Sequence, residues 1–216
     1  CLLFISFVSY LQFQYNVFGS RYGLATFIPM LVLFTVAYYF DHLGILSIAI
    51  TNLAAWAGIA VTPAAILKEN DFDNFSLIVT GIVLGILLVA ASVFSISKKL
   101  KAHFSFTYTN FGMHLLFISS LAGMFHFEKA YFLFFLLLAA CAYFFYLRAF
   151  KEKSFYYILV LSLYGYIGLS YIAIRLLFYT INLDMGGVYL AFFFFFGSAI
   201  ALIVFFIRMN KKIKAL

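Results

Sequence analysis

Charged side chains are scarce in this chain. Of its 216 residues, only 10% are Asp, Glu, Lys or Arg, whereas 67% are hydrophobic and the mean hydropathy is +1.11. Soluble domains are about a quarter charged and about half apolar. A soluble fold of this size has too small an interior to hide so much apolar surface. The composition therefore excludes a soluble protein and predicts that lipid is the solvent.

Cysteine and catalytic motifs are also nearly or wholly missing. Cys1 and Cys141 both lie in apolar runs, where they provide neither a disulfide framework nor a metal-ligand spacing. The sequence contains no GxSxG, HExxH, CxxC, P-loop or GxGxxG motif. Because no acid–base or nucleophile constellation is present, we predict a protein that is not an enzyme and that holds no cofactor or metal.

Long apolar runs dominate what is present. A bilayer-spanning helix needs about 20 mostly apolar residues, whereas barrel strands are about 10 residues long and alternate in polarity. Eight runs have or approach the helical length: Cys1–Phe18, Leu24–Phe40, Leu43–Leu67, Leu77–Ser97, Thr107–Phe125, Tyr131–Phe150, Phe155–Phe178 and Val188–Ile207. We predict an all-α, polytopic helical membrane bundle of about eight transmembrane helices. Gln12, Gln14 and Asn16 leave open an alternative of seven spans with a truncated or interfacial first segment.

The links between these runs are short. The longest are KENDFDNFS and KKLKAHFSF, so no soluble domain fits and residues 1–216 are predicted to form a single integral membrane domain. Short links also make neighbouring helices antiparallel. The chain opens on Cys1 rather than Met, and its apolar run begins without the charged start of a signal peptide. We therefore expect the native N-terminus to lie upstream.

Basic residues are concentrated in alternate links. The rich links and tail contain Lys98, Lys99, Lys101, Arg148, Lys151, Lys153, Arg208, Lys211, Lys212 and Lys214. By the positive-inside rule, these segments, the Asp41–His42 turn and both ends of the chain face the cytoplasm, with Arg21 as a mild exception. The net charge of +7 is thus a topology signal and not a sign of nucleic-acid binding. Membrane lipids are the expected partners.

The third run contains the first candidate for an intramembrane polar site. Asn52 and Trp56 share one helical face, and an amide or indole in hydrocarbon needs a partner. Small residues form a stripe on the other side: Gly44, Ser47, Thr51, Ala54, Ala55, Gly58 and Thr62. Small residues allow close helix approach in lipid. We therefore predict a central position for this span, with Asn52 either bonded to a neighbouring helix or lining a polar cavity.

Two further candidates form the turn before this span. Asp41 is expected to cap the N-terminus of the third span, where a carboxylate satisfies free N–H groups and the helix dipole. His42 is a candidate proton-sensitive group.

His114 and Arg175 complete the candidate set. His114 lies well inside the fifth span, one turn after Asn110, and is expected to form an interhelical hydrogen bond. Arg175 lies near the end of the seventh span, where a charge snorkels or pairs. Its plausible carboxylate partners are Asp184, Glu128, Asp71 and Asp73. The alternative role for Arg175 is contact with an anion or substrate.

Gly81 and Gly85 form a GxxxG pattern in the fourth run. In an apolar helix this pattern predicts a close helix–helix contact. It fits self-association, contact with another membrane protein and packing within the chain equally well.

The segment FDHLGILSIAITNLAAWAGIAVTP, from Phe40 to Pro63, resembles one stretch of a bacterial family of predicted membrane proteins, in its Bacteroidetes form. That family is catalogued as domain of unknown function 2157. The resemblance implies a polytopic protein of the bacterial cytoplasmic (inner) membrane. It brings no established activity and no catalytic residues.

The predicted function is therefore a coarse one. We expect a non-catalytic binding, sensing or assembly component of the membrane. The alternative is a facilitator-type transporter or channel for a small or lipidic solute. Asp and Glu are absent from the core of every span, which argues against ion-coupled transport but not against a facilitator.

Overall fold

The computed structural model describes residues 1–19, 23–61, 74–180 and 185–215. Within these ranges the chain forms no strand. It forms a 3₁₀ turn (Ala102–Phe104) and eight helices: α1 (Leu2–Tyr15), α2 (Gly23–Phe40), α3 (Leu43–Val61), α4 (Phe75–Ser97), α5 (Ser105–His126), α6 (Tyr131–Lys151), α7 (Phe155–Thr180) and α8 (Met185–Lys214). The predicted all-α fold is confirmed.

Six of these helices, α2, α3, α4, α6, α7 and α8, are long and apolar enough to cross a membrane. The protein is therefore a multi-pass membrane protein. Of the remaining two helices, α1 is shorter than these six, and α5 is more polar.

α1 has only 14 residues. This length corresponds to about 21 Å at 1.5 Å per residue, against a hydrocarbon core of about 30 Å. The helix ends because Asn16 adopts a left-handed conformation with φ of 48°. Gln12 then binds the turn that follows, donating to Asn16 Oδ1 and accepting from the Phe18 N–H. These contacts favour the short first segment that the sequence left open.

α5 is long enough to span but more polar than the other long helices. Its buried side chains include Thr109 and Ser120, both fully enclosed, together with Met113 and Phe117. A helix enclosed by protein need not be apolar, because its polar groups find partners on neighbouring helices. Within the compact unit Cys1–Gly123, α5 is thus an enclosed helix, and the central position predicted for the third span stays a prediction.

The chain divides into two compact units, Cys1–Gly123 and Met124–Leu216. In the first unit, α2 and α3 form an antiparallel hairpin, and α3 also packs on α4. In the second unit, α6 packs on α7, and α7 packs on α8. The single domain expected over residues 1–216 stays a prediction.

Each unit brings its predicted cytoplasmic segments to one end. In the first unit, Lys101 of the α4–α5 link forms an ion pair with Asp41 of the α2–α3 turn, at 2.9 Å. In the second unit, Lys212 near the C-terminus lies 5.1 Å from the ring centre of Phe150 at the end of α6. The alternation of basic links thus agrees with the helix directions in each unit.

The α4–α5 link, KKLKAHFSF, inserts an aromatic side chain into the core of the first unit. Phe104 is fully buried and packs edge-to-face on Tyr38, with ring centres 5.3 Å apart. Ser95 on α4 holds the link in place by donating to the carbonyl groups of Leu100 and Lys101. The core cluster around Phe104 contains Ala37, Leu46, Ile50, Leu84, Leu88 and Tyr108.

Candidate functional site

Asn52 is satisfied within its own helix. Its Nδ2 donates to the carbonyl oxygen of Ile48, one turn earlier, at 3.0 Å, and the side chain is half-buried. The hydrogen bond thus joins Asn52 to neither of the two predicted partners, a neighbouring helix or a polar cavity. A four-residue spacing lets a side-chain donor reach a backbone carbonyl of the preceding turn.

The small-residue stripe of α3 is packed in part: Ala54 lies against the core cluster of the first unit and Gly58 is buried. Thr51 and Ala55 are exposed, and the hydroxyls of Ser47 and Thr51 donate to backbone carbonyls of α3 itself. α3 also packs through larger aliphatic side chains, of which Leu46 and Ile50 are fully buried. Thr62 and Pro63 lie outside the described residues.

Trp56 lies half-buried at the boundary between α2 and α3. Its indole packs on Phe27 of α2, with ring centres 5.2 Å apart and planes tilted by 47°. Gly23 makes room for the indole, because a Cβ added there would lie 3.7 Å from both Cδ1 and Nε1. In the described part of the chain, Trp56 thus packs its ring against α2.

Trp56 also lines a groove of about 510 Å³ between α3 and α4, which we call the lateral groove. Its walls are Phe34, Leu53, Trp56, Ala57, Val79, Thr80, Val83, Leu84, Leu87, Leu88, Ala91 and Tyr108. Val83 and Leu87 on its rim are 50% and 59% exposed, so the groove opens to the side of the helix pair.

The polar atoms on the groove walls are largely engaged elsewhere. The Thr80 hydroxyl donates to the carbonyl oxygen of Ser76, and the hydroxyl groups of Tyr108 and Tyr38 lie 2.8 Å apart. Val79 and Ala91 are separated by about 18 Å along α4, so the groove is long and narrow. Its chemistry matches a hydrocarbon ligand and offers little to a polar solute.

The α2–α3 turn is built differently from the prediction. His42, and not Asp41, caps α3, because the Ile45 N–H donates to His42 Nδ1 at 3.3 Å. Asp41 has a left-handed backbone, with φ of 58°, at the end of α2. Its carboxylate faces the α4–α5 link, where Oδ1 lies 2.9 Å from both Lys101 Nζ and His103 Nε2. The hydrogen bond from Lys101, assisted by the charge of His103, lowers the pKa of Asp41.

His114 is half-buried on α5, where it has interaction partners. In the described ranges, no group of three or more His, Cys, Asp and Glu side chains is arranged to hold a metal ion. The absence of a metal or cofactor stays a prediction.

Arg175 on α7 is enclosed by aromatic side chains. Its side chain is 17% exposed, its Nη1 donates to the Tyr171 hydroxyl at 2.8 Å, and its guanidinium carbon lies 4.6 Å from the ring centre of Tyr131. Its Nη2 lies 4.0 Å from Glu128 Oε2, so Glu128 is the predicted partner that the structure places there. The other three predicted partners, Asp71, Asp73 and Asp184, fall outside the described residues.

A second cavity, of about 320 Å³, opens beside this guanidinium. Its walls are Tyr131, Ile172, Arg175 and Leu176. Sequence reasoning found Arg175 but missed both tyrosines. Tyr171 could have been found, because it lies four residues before Arg175 and therefore on the same helical face. Tyr131 comes from another helix, and its sequence position carries no such signal.

Gly81 and Gly85 face α5 of the same chain. A Cβ added to Gly85 would lie 2.8 Å from Leu116 Cγ and 3.1 Å from the carbonyl oxygen of Gly112. Nearby, the hydroxyl groups of Ser92 and Thr109 lie 2.6 Å apart in a buried contact between the two helices. The predicted close contact thus exists within the chain. Self-association through these glycines stays a prediction that the intrachain contact does not favour.

Comparison with known proteins assigns no family. No protein-family model, curated protein or solved structure matches the chain. The resemblance of Phe40–Pro63 to domain of unknown function 2157 therefore stays a prediction.

Proposed function

We propose that this protein is a non-catalytic membrane component that binds the acyl chain of a lipid in the lateral groove. The observation that carries this proposal is the groove itself. It is long, apolar and open to the side of helices that are built to cross a membrane. The proposal includes membership in the family catalogued as domain of unknown function 2157, which the segment Phe40–Pro63 resembles. That family has no established activity, so it does not make the proposed function more specific.

The dimensions of the groove fit a lipid chain. Its length of about 18 Å is close to the depth of one leaflet, since the whole hydrocarbon core is about 30 Å thick. Its volume of about 510 Å³ lies in the range of about 300–1,000 Å³ that is typical of small-molecule sites. A single acyl chain lying along α4 would contact both walls.

The chemistry of the walls agrees with this ligand. Because the Thr80 and Tyr108 hydroxyls already take part in hydrogen bonds within the protein, they replace little of the hydration that a polar ligand would lose, and that loss is costly in hydrocarbon. An alkyl chain has no such cost and gains close contacts with Leu84 and Leu88 on the groove walls.

A blocked groove should lose lipid. We expect Ala57→Phe, which places a ring in the groove, to weaken binding of phosphatidylcholine roughly tenfold, or about 1.4 kcal/mol. Native mass spectrometry of the purified protein, titrated with this zwitterionic lipid, measures the change. Ala55→Phe is the matched control, because Ala55 lies on the same helix, is exposed and does not line the groove.

The control distinguishes lipid bound in the groove from the annular lipids that surround any membrane protein. Equal lipid retention in the Ala57→Phe and Ala55→Phe variants, with unchanged melting temperatures, would refute acyl-chain binding in the groove. If Ala57→Phe does not fold, Leu87→Ser at the exposed rim provides the same test, and an unchanged affinity in that variant counts against the proposal.

A facilitator for a lipidic solute is the second candidate function. It is favoured by the sideways opening of the groove, through which a lipid can enter directly from the bilayer. Reconstitution distinguishes the two functions, because a facilitator accelerates lipid movement between leaflets of proteoliposomes and a binding component does not.

We further propose that the protein lies in the bacterial cytoplasmic membrane with both ends of the chain on the cytoplasmic side. The support is the clustering of basic residues in alternate links. The ion pair of Asp41 with Lys101 adds that the α2–α3 turn belongs to the same end as the basic α4–α5 link.

Single cysteines test this orientation. In a background without Cys1 and Cys141, we expect Lys151→Cys and Lys212→Cys to react with a membrane-impermeant maleimide only after the cells are permeabilised. Lys129→Cys, on the opposite end, should react in intact cells. Labelling of position 151 or 212 in intact cells would show that the orientation is the opposite of the proposed one.

A further inference from the structure

The surroundings of Arg175 form a site of their own, which we call the arginine site. It consists of Arg175, Tyr131, Tyr171 and Glu128, together with the cavity walls Ile172 and Leu176. We propose that the arginine site binds the phosphate group of an anionic amphiphile. This inference concerns the second unit and is independent of the lateral groove.

The guanidinium is held in place by its neighbours. Tyr171 accepts a hydrogen bond from Nη1 at 2.8 Å, and the Tyr131 ring stacks beside the guanidinium carbon at 4.6 Å. A planar guanidinium matches the oxygen geometry of a phosphate and binds it through paired hydrogen bonds. Because the group is oriented before a ligand arrives, little side-chain entropy is lost on binding.

The arginine site lies at the end of the spans. Tyr131 is the first residue of α6, and Glu128 belongs to the link that precedes it. Tyrosine and arginine at such positions lie at the level of the lipid head groups. A phosphate at that depth is the group that a membrane lipid presents.

The cavity beside the guanidinium explains why the ligand is amphiphilic. Ile172 and Leu176 provide aliphatic walls next to the charge, and Leu176 is 65% exposed. A cation and an adjoining hydrocarbon surface match a phosphate with the beginning of an acyl chain attached. A free phosphate would use the cation and leave the aliphatic walls uncovered.

Glu128 opposes the proposed ligand. Its carboxylate lies 4.0 Å from Nη2, and its side chain is 78% exposed. At this distance and exposure the ion pair is weak, so a phosphate can take its place at the guanidinium. Glu128 also repels the incoming phosphate, so its removal should strengthen binding. Substitutions of Arg175 and of Glu128 should therefore change the affinity for the anionic ligand in opposite directions.

The experiment measures lipid binding to the full chain by native mass spectrometry. Phosphatidylglycerol is the anionic probe, phosphatidylcholine is the zwitterionic one, and inorganic phosphate is added as a competitor. We expect Arg175→Gln to weaken phosphatidylglycerol binding at least about tenfold and Glu128→Gln to strengthen it. Phosphatidylcholine binding should change much less in both variants.

Each outcome has a defined meaning. Competition by millimolar inorganic phosphate would identify a soluble phosphate as the source of the ligand, and a lack of competition would identify the lipid head group. Phosphatidylglycerol affinity that is equal in the parent protein and both variants would overturn the proposal and leave Arg175 a purely structural residue. If Arg175→Gln does not fold, Glu128→Gln decides alone, and an unchanged or lowered affinity in that variant counts against the site.

Discussion

Replacing Phe104 by Ala should lower the free energy of unfolding by about 3–5 kcal/mol. Phe104 is fully buried in the core cluster of the first unit, although it belongs to the link between α4 and α5. Its ring packs edge-to-face on Tyr38, whose hydroxyl contacts that of Tyr108. Removing the ring leaves a cavity among α2, α4 and α5, and the fixed helices cannot close around it.

Unfolding in mixed micelles with increasing dodecyl sulfate measures this effect. Phe106→Ala is the matched control, because Phe106 lies two residues further on and is 50% exposed. We expect the control to unfold nearly as the parent protein does. Similar losses in the two variants would show that burial of Phe104 in the link does not stabilise the first unit.

A methyl group at Gly112 should have the second largest effect. We expect Gly112→Ala to cost about 1–3 kcal/mol, as overpacking does. An added Cβ would lie 2.9 Å from the Gly85 carbonyl oxygen and 3.1 Å from the Val89 backbone nitrogen. Both are backbone atoms, so α4 and α5 must separate to relieve the clash. The buried contact between Ser92 and Thr109 would then be strained as well.

The sign of the change in stability distinguishes a close helix contact from an exposed glycine. Gly-to-Ala substitution within an exposed helix normally stabilises by about 1 kcal/mol. Gly165→Ala and Gly197→Ala are controls of that kind, because a Cβ at either position has no neighbour within 4 Å. Thermal unfolding in detergent should therefore shift downwards for Gly112→Ala and not for the two controls. A stabilised Gly112→Ala variant would contradict the close contact.

Helix positions were largely predictable because lipid imposes them. A hydrocarbon core of fixed thickness requires long apolar helices whatever their neighbours are. The run Leu24–Phe40 became α2 at Gly23–Phe40, and Leu77–Ser97 became α4 at Phe75–Ser97. α1 is the exception, because the polar residues near its end turn the chain at Asn16.

The candidate sites were predicted less well, for a physical reason. Rare polar residues were selected as candidates: Asn52, Asp41, His42, His114 and Arg175. The rarity of a residue does not indicate which way its side chain points. The structure turned Asn52 back onto its own helix and gave the capping role to His42. Sequence spacing can suggest a hydrogen bond within one helix or turn, but it allows several such bonds for the same side chain and does not select one of them.

The sequence by itself determined the solvent, the helical class and the positions of most helices. These properties follow from hydropathy and length, which are sums over neighbouring residues. Only the tertiary structure decided which helices pack together: the partner of Gly85 is Gly112, and the ring beside Arg175 is that of Tyr131. Such pairs join residues far apart in the chain. Their contacts depend on helix rotation and crossing, to which an apolar helix in lipid gives little sequence signal, because lipid-facing and protein-facing residues are equally apolar.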